Sequence, residues 1–80
     1  MKLTDVKIKN TVIVDKLYFK DKTRERMLSL GLTPGTKVTV LKKGPKNNLA
    51  IYKFRGCKIA LRNTESDLII VKEWWILLVL

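Results

Sequence analysis

Four glycines, at positions 31, 35, 44 and 56, cut the middle of this chain into stretches too short for a long helix. Three of them stand in Pro34-Gly35, Gly44-Pro45 and Arg55-Gly56, pairs that mark turns or loops. Thr33-Pro34-Gly35-Thr36 has proline where φ must lie near −65° and glycine where φ must be positive, the two demands of a type II turn. The residues around it, GLTPGTK, superficially suggest a phosphate-binding loop. That motif needs G-x-x-x-x-G-K-[ST] after a strand and before a helix, so that consecutive N–H groups face the phosphates. Here only three residues separate Gly31 from Gly35, Thr36 precedes Lys37, and Pro34 removes a donor. The stretch reads as a hinge from a helix into a strand.

The segments between the turns take their character from side-chain pattern. Thr11 to Leu17 is β-branched and short and predicts a strand. Asp21 to Leu30 is rich in helix formers, with Asp21 placed as an N-cap and Gly31 at the position that ends a helix. Thr36 to Lys43 alternates, Val38 and Val40 on one face. Leu49 to Phe54 and Cys57 to Arg62 flank Arg55-Gly56 as a tight hairpin. Asn63 to Asp67 carries Thr64 three residues before Asp67, a weak capping box that suggests one helical turn. Leu68 to Lys72 predicts a last strand. The expected fold is therefore mainly β: an SH3-like barrel of five short strands, with one helix after the first strand and one helical turn before the last. The expected core is Val12, Val14, Met27, Leu30, Val38, Val40, Ile51, Ile59, Leu61, Ile69 and Val71.

At 80 residues there is room for one small core and for no second lobe. The chain holds no histidine, which removes Ser-His-Asp and Cys-His catalysis. Its single cysteine, Cys57, reads as a half-buried strand residue, and no CxxC or HxH cluster spells out a metal site. The pairs Asp21/Glu25 and Glu65/Asp67 fit capping or a solvated face better than a hard cation. Neither a catalytic residue nor a cofactor is expected. With 17 Lys and Arg against 7 Asp and Glu the net charge is +10, which favours an anionic partner. Lys42, Lys43, Lys46, Arg55, Lys58 and Arg62 come from neighbouring strands and loops and are candidates for one patch. Tyr52 and Phe54 fit the core better than a stacking platform for single strands, so nucleic acid is the weaker choice of partner.

The end is apolar: Trp74 to Leu80 are seven consecutive apolar residues, far short of the ~20 that span a membrane. Three readings stay open for this tail beyond a domain of residues 1–73. It is an added strand, a surface buried in a partner copy or another protein through Trp74, Trp75, Ile76 and Leu77, or an interfacial membrane anchor. Homo-oligomerisation through it is one expectation. The opening Met-Lys-Leu-Thr-Asp has no secretory pattern, which points to the cytoplasm, peripheral to the membrane's inner face if the tail is an anchor.

Taken together, RERMLSLGLTPGTKVTVLKKGP and IYKFRGCKIALRNTESDLIIV closely resemble the FeoA family of small bacterial proteins of ferrous iron uptake, over about Leu3 to Lys72. The resemblance implies an SH3-like barrel and a non-enzymatic, cytosolic protein that assists or regulates FeoB, a membrane ferrous iron transporter with a cytosolic GTPase domain. A related barrel in iron-dependent repressors adds a transition-metal-binding sensor as an alternative. On the docking reading, the expected contact residues are Leu32, Pro34 and Gly35, with Lys42, Lys43, Arg55 and Arg62 supplying charge.

Overall fold

The computed structural model describes residues 1–74. Five antiparallel strands lie in one sheet: β1 (Thr11–Leu17), β2 (Lys37–Lys43), β3 (Leu49–Phe54), β4 (Cys57–Arg62) and β5 (Ile69–Glu73), in spatial order β4-β3-β2-β1-β5. Helix α1 (Asp21–Ser29) follows the first strand, and the single turn α2 (Asn63–Ser66) precedes the last. This is the mainly β architecture anticipated from the turn signals. The sheet stays open, with β4 and β5 as its edges. It bends where its register shifts, between Val14 and Lys16 on β1 and between Val40 and Lys42 on β2, since a bulge kinks a strand and raises its twist.

One face of the sheet is buried. Val12 and Val14 of β1, Val38 and Val40 of β2, Leu61 of β4, and Ile69 and Val71 of β5 are all within the core, with Met27 of α1 against them. Three expected core residues depart from this. On β3 the inward phase is Ala50, Tyr52 and Phe54 rather than Ile51, which is half-buried on the other face. Val40 pairs directly with Tyr52, so an inward Val40 turns Tyr52 inward as well. Ile59 packs on the core only in part. Leu30 is exposed, because it lies at the end of α1 past the last core-facing turn. Leu3 and Val6 are buried in the core from a short 3-10 turn, Leu3–Asp5, that packs against α2 and β5 and that sequence patterning passes over. Phe19, between β1 and α1 in sequence, is buried as well.

The helix ends differ from expectation. Asp21 does not cap α1: the helix begins on it and no side chain caps that turn; its charge is nonetheless at the positive end of the helix dipole. At α2 it is Glu65, not Asp67, whose carboxylate accepts the flanking N–H, from Arg62 at 3.0 Å. Asp67 instead accepts from Thr4 Oγ1 at 2.7 Å and ties the N-terminal turn down. Arg26 on α1 pairs with Glu65 at 2.7 Å and joins the two helices.

Tyr52 shows what burying an aromatic hydroxyl requires. Its ring is in the core and its hydroxyl donates to Ser66 Oγ at 3.0 Å, with Ser66 itself fully buried. Burial pushes the Tyr52 phenol above its ordinary value, reinforced by the nearby Asp67 carboxylate and opposed by the Ser66 hydrogen bond. A phenol whose folded value is raised contributes stability that is fully present below the unfolded value of about 10 and is lost as pH rises through the folded one. Thermal unfolding should therefore show a downturn in stability above about pH 10 that Tyr52→Phe removes. At neutral pH the same variant should cost on the order of 1 kcal/mol, because the buried Ser66 oxygen loses the Tyr52 hydroxyl that donates to it.

Candidate functional site

The segment from the end of α1 to the start of β2 is held by a dense set of hydrogen bonds. Leu32 N–H donates to the Met27 carbonyl at 3.0 Å and Gly31 N–H to that of Leu28 at 3.0 Å. With Gly31 at φ +96°, this is a Schellman ending, whose hallmark is an apolar contact between the residue after the glycine and one a turn back. Leu32 and Met27 are those two residues, and both are buried in the core. Leu32 thus corrects the sequence expectation: at 1% exposed its side chain secures the corner from beneath and is not offered to a partner.

Beyond Leu32 the chain makes the anticipated type II turn. Thr36 N–H donates to the Thr33 carbonyl at 3.0 Å and Gly35 has φ +94°. Gly35 N–H reaches the Val14 carbonyl at 2.8 Å, and Val14 N–H donates to that of Thr36 at 2.9 Å, fastening the turn to β1. Pro34 and Gly35 stay exposed at its tip.

Arg55 completes the corner from the other side of the sheet. It takes φ +52° and Gly56 φ +77° in the β3–β4 turn, the pairing of positive angles that a two-residue hairpin demands and that Asn or Gly meets with least strain. Its Nε donates to the Gly31 carbonyl at 2.9 Å, an oxygen that Thr36 Oγ1 also reaches at 3.1 Å. The Arg55 stem lies so close to Gly31 that a Cβ there would come within 2.8 Å of it. A strained residue is thus held by a long-range bond, the situation in which strain persists.

The sequence-expected docking residues divide into two groups. Pro34, Gly35 and Arg55 meet at this corner. Lys42, Lys43 and Arg62 lie at the far end of the sheet, where Lys43 pairs with Ala50 and Arg62 with Leu49. The two ends of β3 are about 17 Å apart at ~3.4 Å per residue, so the single basic patch is not formed. Lys43 Nζ donates to the Thr4 carbonyl at 3.3 Å and is half-buried, whereas Lys42 and Arg62 are exposed. Trp74 is exposed at the end of the described residues, its ring centroid 5.0 Å from Lys37 Nζ; Trp75, Ile76 and Leu77 lie outside the described residues.

Next to the corner the outer sheet face holds a shallow groove of about 420 Å³, with Lys37, Lys53 and Arg55 around Thr11 and Thr39, whose hydroxyls bond at 2.8 Å. Sequence reasoning missed Lys37 and Lys53. Their signal was parity: each lies in the polar phase of a strand whose other phase is apolar. Tyr52 and Phe54 face the core and offer no stacking platform. Cys57, expected half-buried, is exposed, because β4 is an edge strand with nothing beyond it at its hairpin end among the described residues. Among the same residues no group of three His, Cys, Asp or Glu side chains is close enough to hold a metal ion.

Solved structures share this architecture. A FeoA protein from Chlorobium tepidum superposes with a TM-score of 0.87 at 27% identity, over 92% of this chain and 70% of that one. The iron(II) transport protein A of Clostridium thermocellum gives 0.86 at 24% identity over 92% of this chain, which spans about half (46%) of its length. The zinc complex of FeoA from Stenotrophomonas maltophilia, a procaryotic SH3 domain protein, gives 0.73 at 24% identity over 90% and 89% of the two chains. No curated protein matches the sequence. The FeoA domain model matches residues 1–73; with the open five-stranded SH3-like sheet, this chain belongs to the FeoA family of proteins related to ferrous iron transport.

Proposed function

We propose that the chain is a non-enzymatic accessory or regulatory protein of bacterial ferrous iron uptake, which docks on the cytosolic part of a FeoB-type membrane transporter through the corner formed by Pro34, Gly35 and Arg55. Family membership supplies the process. The observation that carries the docking surface is the Arg55–Gly31 latch: it fixes an exposed turn in one conformation before any partner arrives, which lowers the ordering cost of association. Lys37 and Lys53 beside it would speed encounter with an acidic surface. No helix among the described residues is long and apolar enough to cross a membrane, in keeping with a partner that supplies the membrane part.

The Stenotrophomonas relative is a zinc complex. Among the described residues here no three His, Cys, Asp or Glu side chains are grouped closely enough to hold such an ion, and metal has no part in the proposal.

Capture of this chain by the purified cytosolic domain of the transporter tests the reading. Wild type should be retained. Arg55→Glu should lose most of that retention, since it both reverses a charge and frees the turn, and Pro34→Ala should weaken it. Equal capture of all three chains would reject this surface.

A further inference from the structure

The two edges of the sheet are treated differently. β5 is covered: Lys2 bridges to Ile70, and Val71 N–H donates to the Met1 carbonyl at 2.7 Å. β4 has no such cover among the described residues, and an uncovered edge is a template for another strand. Which of its groups are free follows from the hairpin. A two-residue turn makes Phe54 and Cys57 a hydrogen-bonded pair, so Cys57, Ile59 and Leu61 point their backbone groups at β3 and the alternate residues point theirs outward. Two bonds agree with this phase: Asn63 N–H donates to Asn48, and Arg62 N–H turns away from β3 to the Glu65 carboxylate. The outward groups left over belong to Lys58 and Ala60.

The side chains around that edge state what would pair with it. Lys58 stands directly opposite Lys53, and like charges facing each other across a ladder are unfavourable. Neither has a carboxylate partner among the described residues. Arg62 is on the same outer face, while half-buried Ile59 and exposed Cys57 occupy the inner one. A second copy of this chain would set Lys58 and Arg62 against their own duplicates in a molecule already at +10, so charge argues against self-pairing.

We infer that β4 receives an extended acidic segment of a protein partner as a sixth strand, its main chain bonded to Lys58 and Ala60, its acidic side chains beside Lys58 and Arg62, and its alternate apolar ones beside Ile59. The inference rests on the docking reading above and names the chemistry of what docks.

The test needs no transporter, so its failure and that of the capture experiment are separable. A capped, fluorescein-labelled peptide of alternating glutamate and valine, as long as β4, is titrated by anisotropy into the full chain. A lysine-for-glutamate version and a single-stranded oligonucleotide are the comparisons. The acidic peptide should bind, more weakly as salt screens it, and the basic one should not. Ala60→Pro removes one outward N–H at a position where an edge tolerates proline and should weaken binding about tenfold, with circular dichroism confirming the fold. Lys58→Glu, a surface change that leaves the backbone intact, should abolish it. Amide exchange by NMR should slow on binding at Lys58 and Ala60 but not at Ile59 and Leu61, which are already paired. No binding of the acidic peptide, binding with unchanged exchange at Lys58 and Ala60, or tighter binding of the oligonucleotide would overturn the inference.

Discussion

Replacing Leu32 by alanine is expected to lower the unfolding free energy by about 2–5 kcal/mol, whereas Leu30→Ala, two residues away, should stay within about 0.5 kcal/mol. The contrast follows from the helix ending. Leu32 is 1% exposed and packs with Met27, while Leu30 is 45% exposed at the last turn of α1. The Leu32 truncation leaves a cavity under the corner as well as losing transfer energy, and the Gly31 geometry that directs the residue inward gives the site little freedom to collapse. A domain of this length has a total stability of roughly 4–12 kcal/mol, so the variant would be substantially unfolded at the low end of that range. Urea denaturation of the three proteins at one temperature checks this; equal midpoints for the two alanine variants would contradict it.

Gly31→Ala is expected to cost about 2–3 kcal/mol and Gly35→Ala about 1–2 kcal/mol, the difference measuring the Arg55 latch. Both glycines have φ above +90°, so both substitutions impose backbone strain. A Cβ on Gly35 meets nothing within 4 Å, but one on Gly31 would lie 2.8 Å from Arg55 Cδ and 3.1 Å from its Nε. The arginine must then move and give up its bond to the Gly31 carbonyl. In a double-mutant cycle, Arg55→Ala and Gly31→Ala should therefore be less costly together than the sum of the two alone. Strict additivity would show that the latch carries no energy.

How far the sequence could be read follows from the same residues. Turns were legible because Pro34-Gly35 and Arg55-Gly56 have few conformations open to them, and each fixed the strands beside it. Helix α1 and the alternation of β2 were legible by period. The phase of β3 was not: Ile51 and Tyr52 are both good strand residues, and only the pairing of Tyr52 with Val40 and the buried Ser66 partner of its hydroxyl decide which one faces in. Leu32 misled for a related reason. It belongs to a turn by sequence, but a Schellman ending makes the residue after the glycine a core residue. The candidate charges were drawn together from neighbouring strands and loops, and a basic patch depends instead on which ends of those strands meet. Lys42, Lys43 and Arg62 therefore separated from Arg55, while Lys37 and Lys53 joined it.

The measurement that bears most directly on the account is a hydrogen-exchange footprint of the full chain, recorded with and without a saturating amount of the transporter's cytosolic domain. Docking through the latched corner predicts slowed exchange at residues 33–37 and 54–60, with little change at 42–43. Protection confined to the Lys42, Lys43 and Arg62 end of the sheet, or none anywhere, would contradict it.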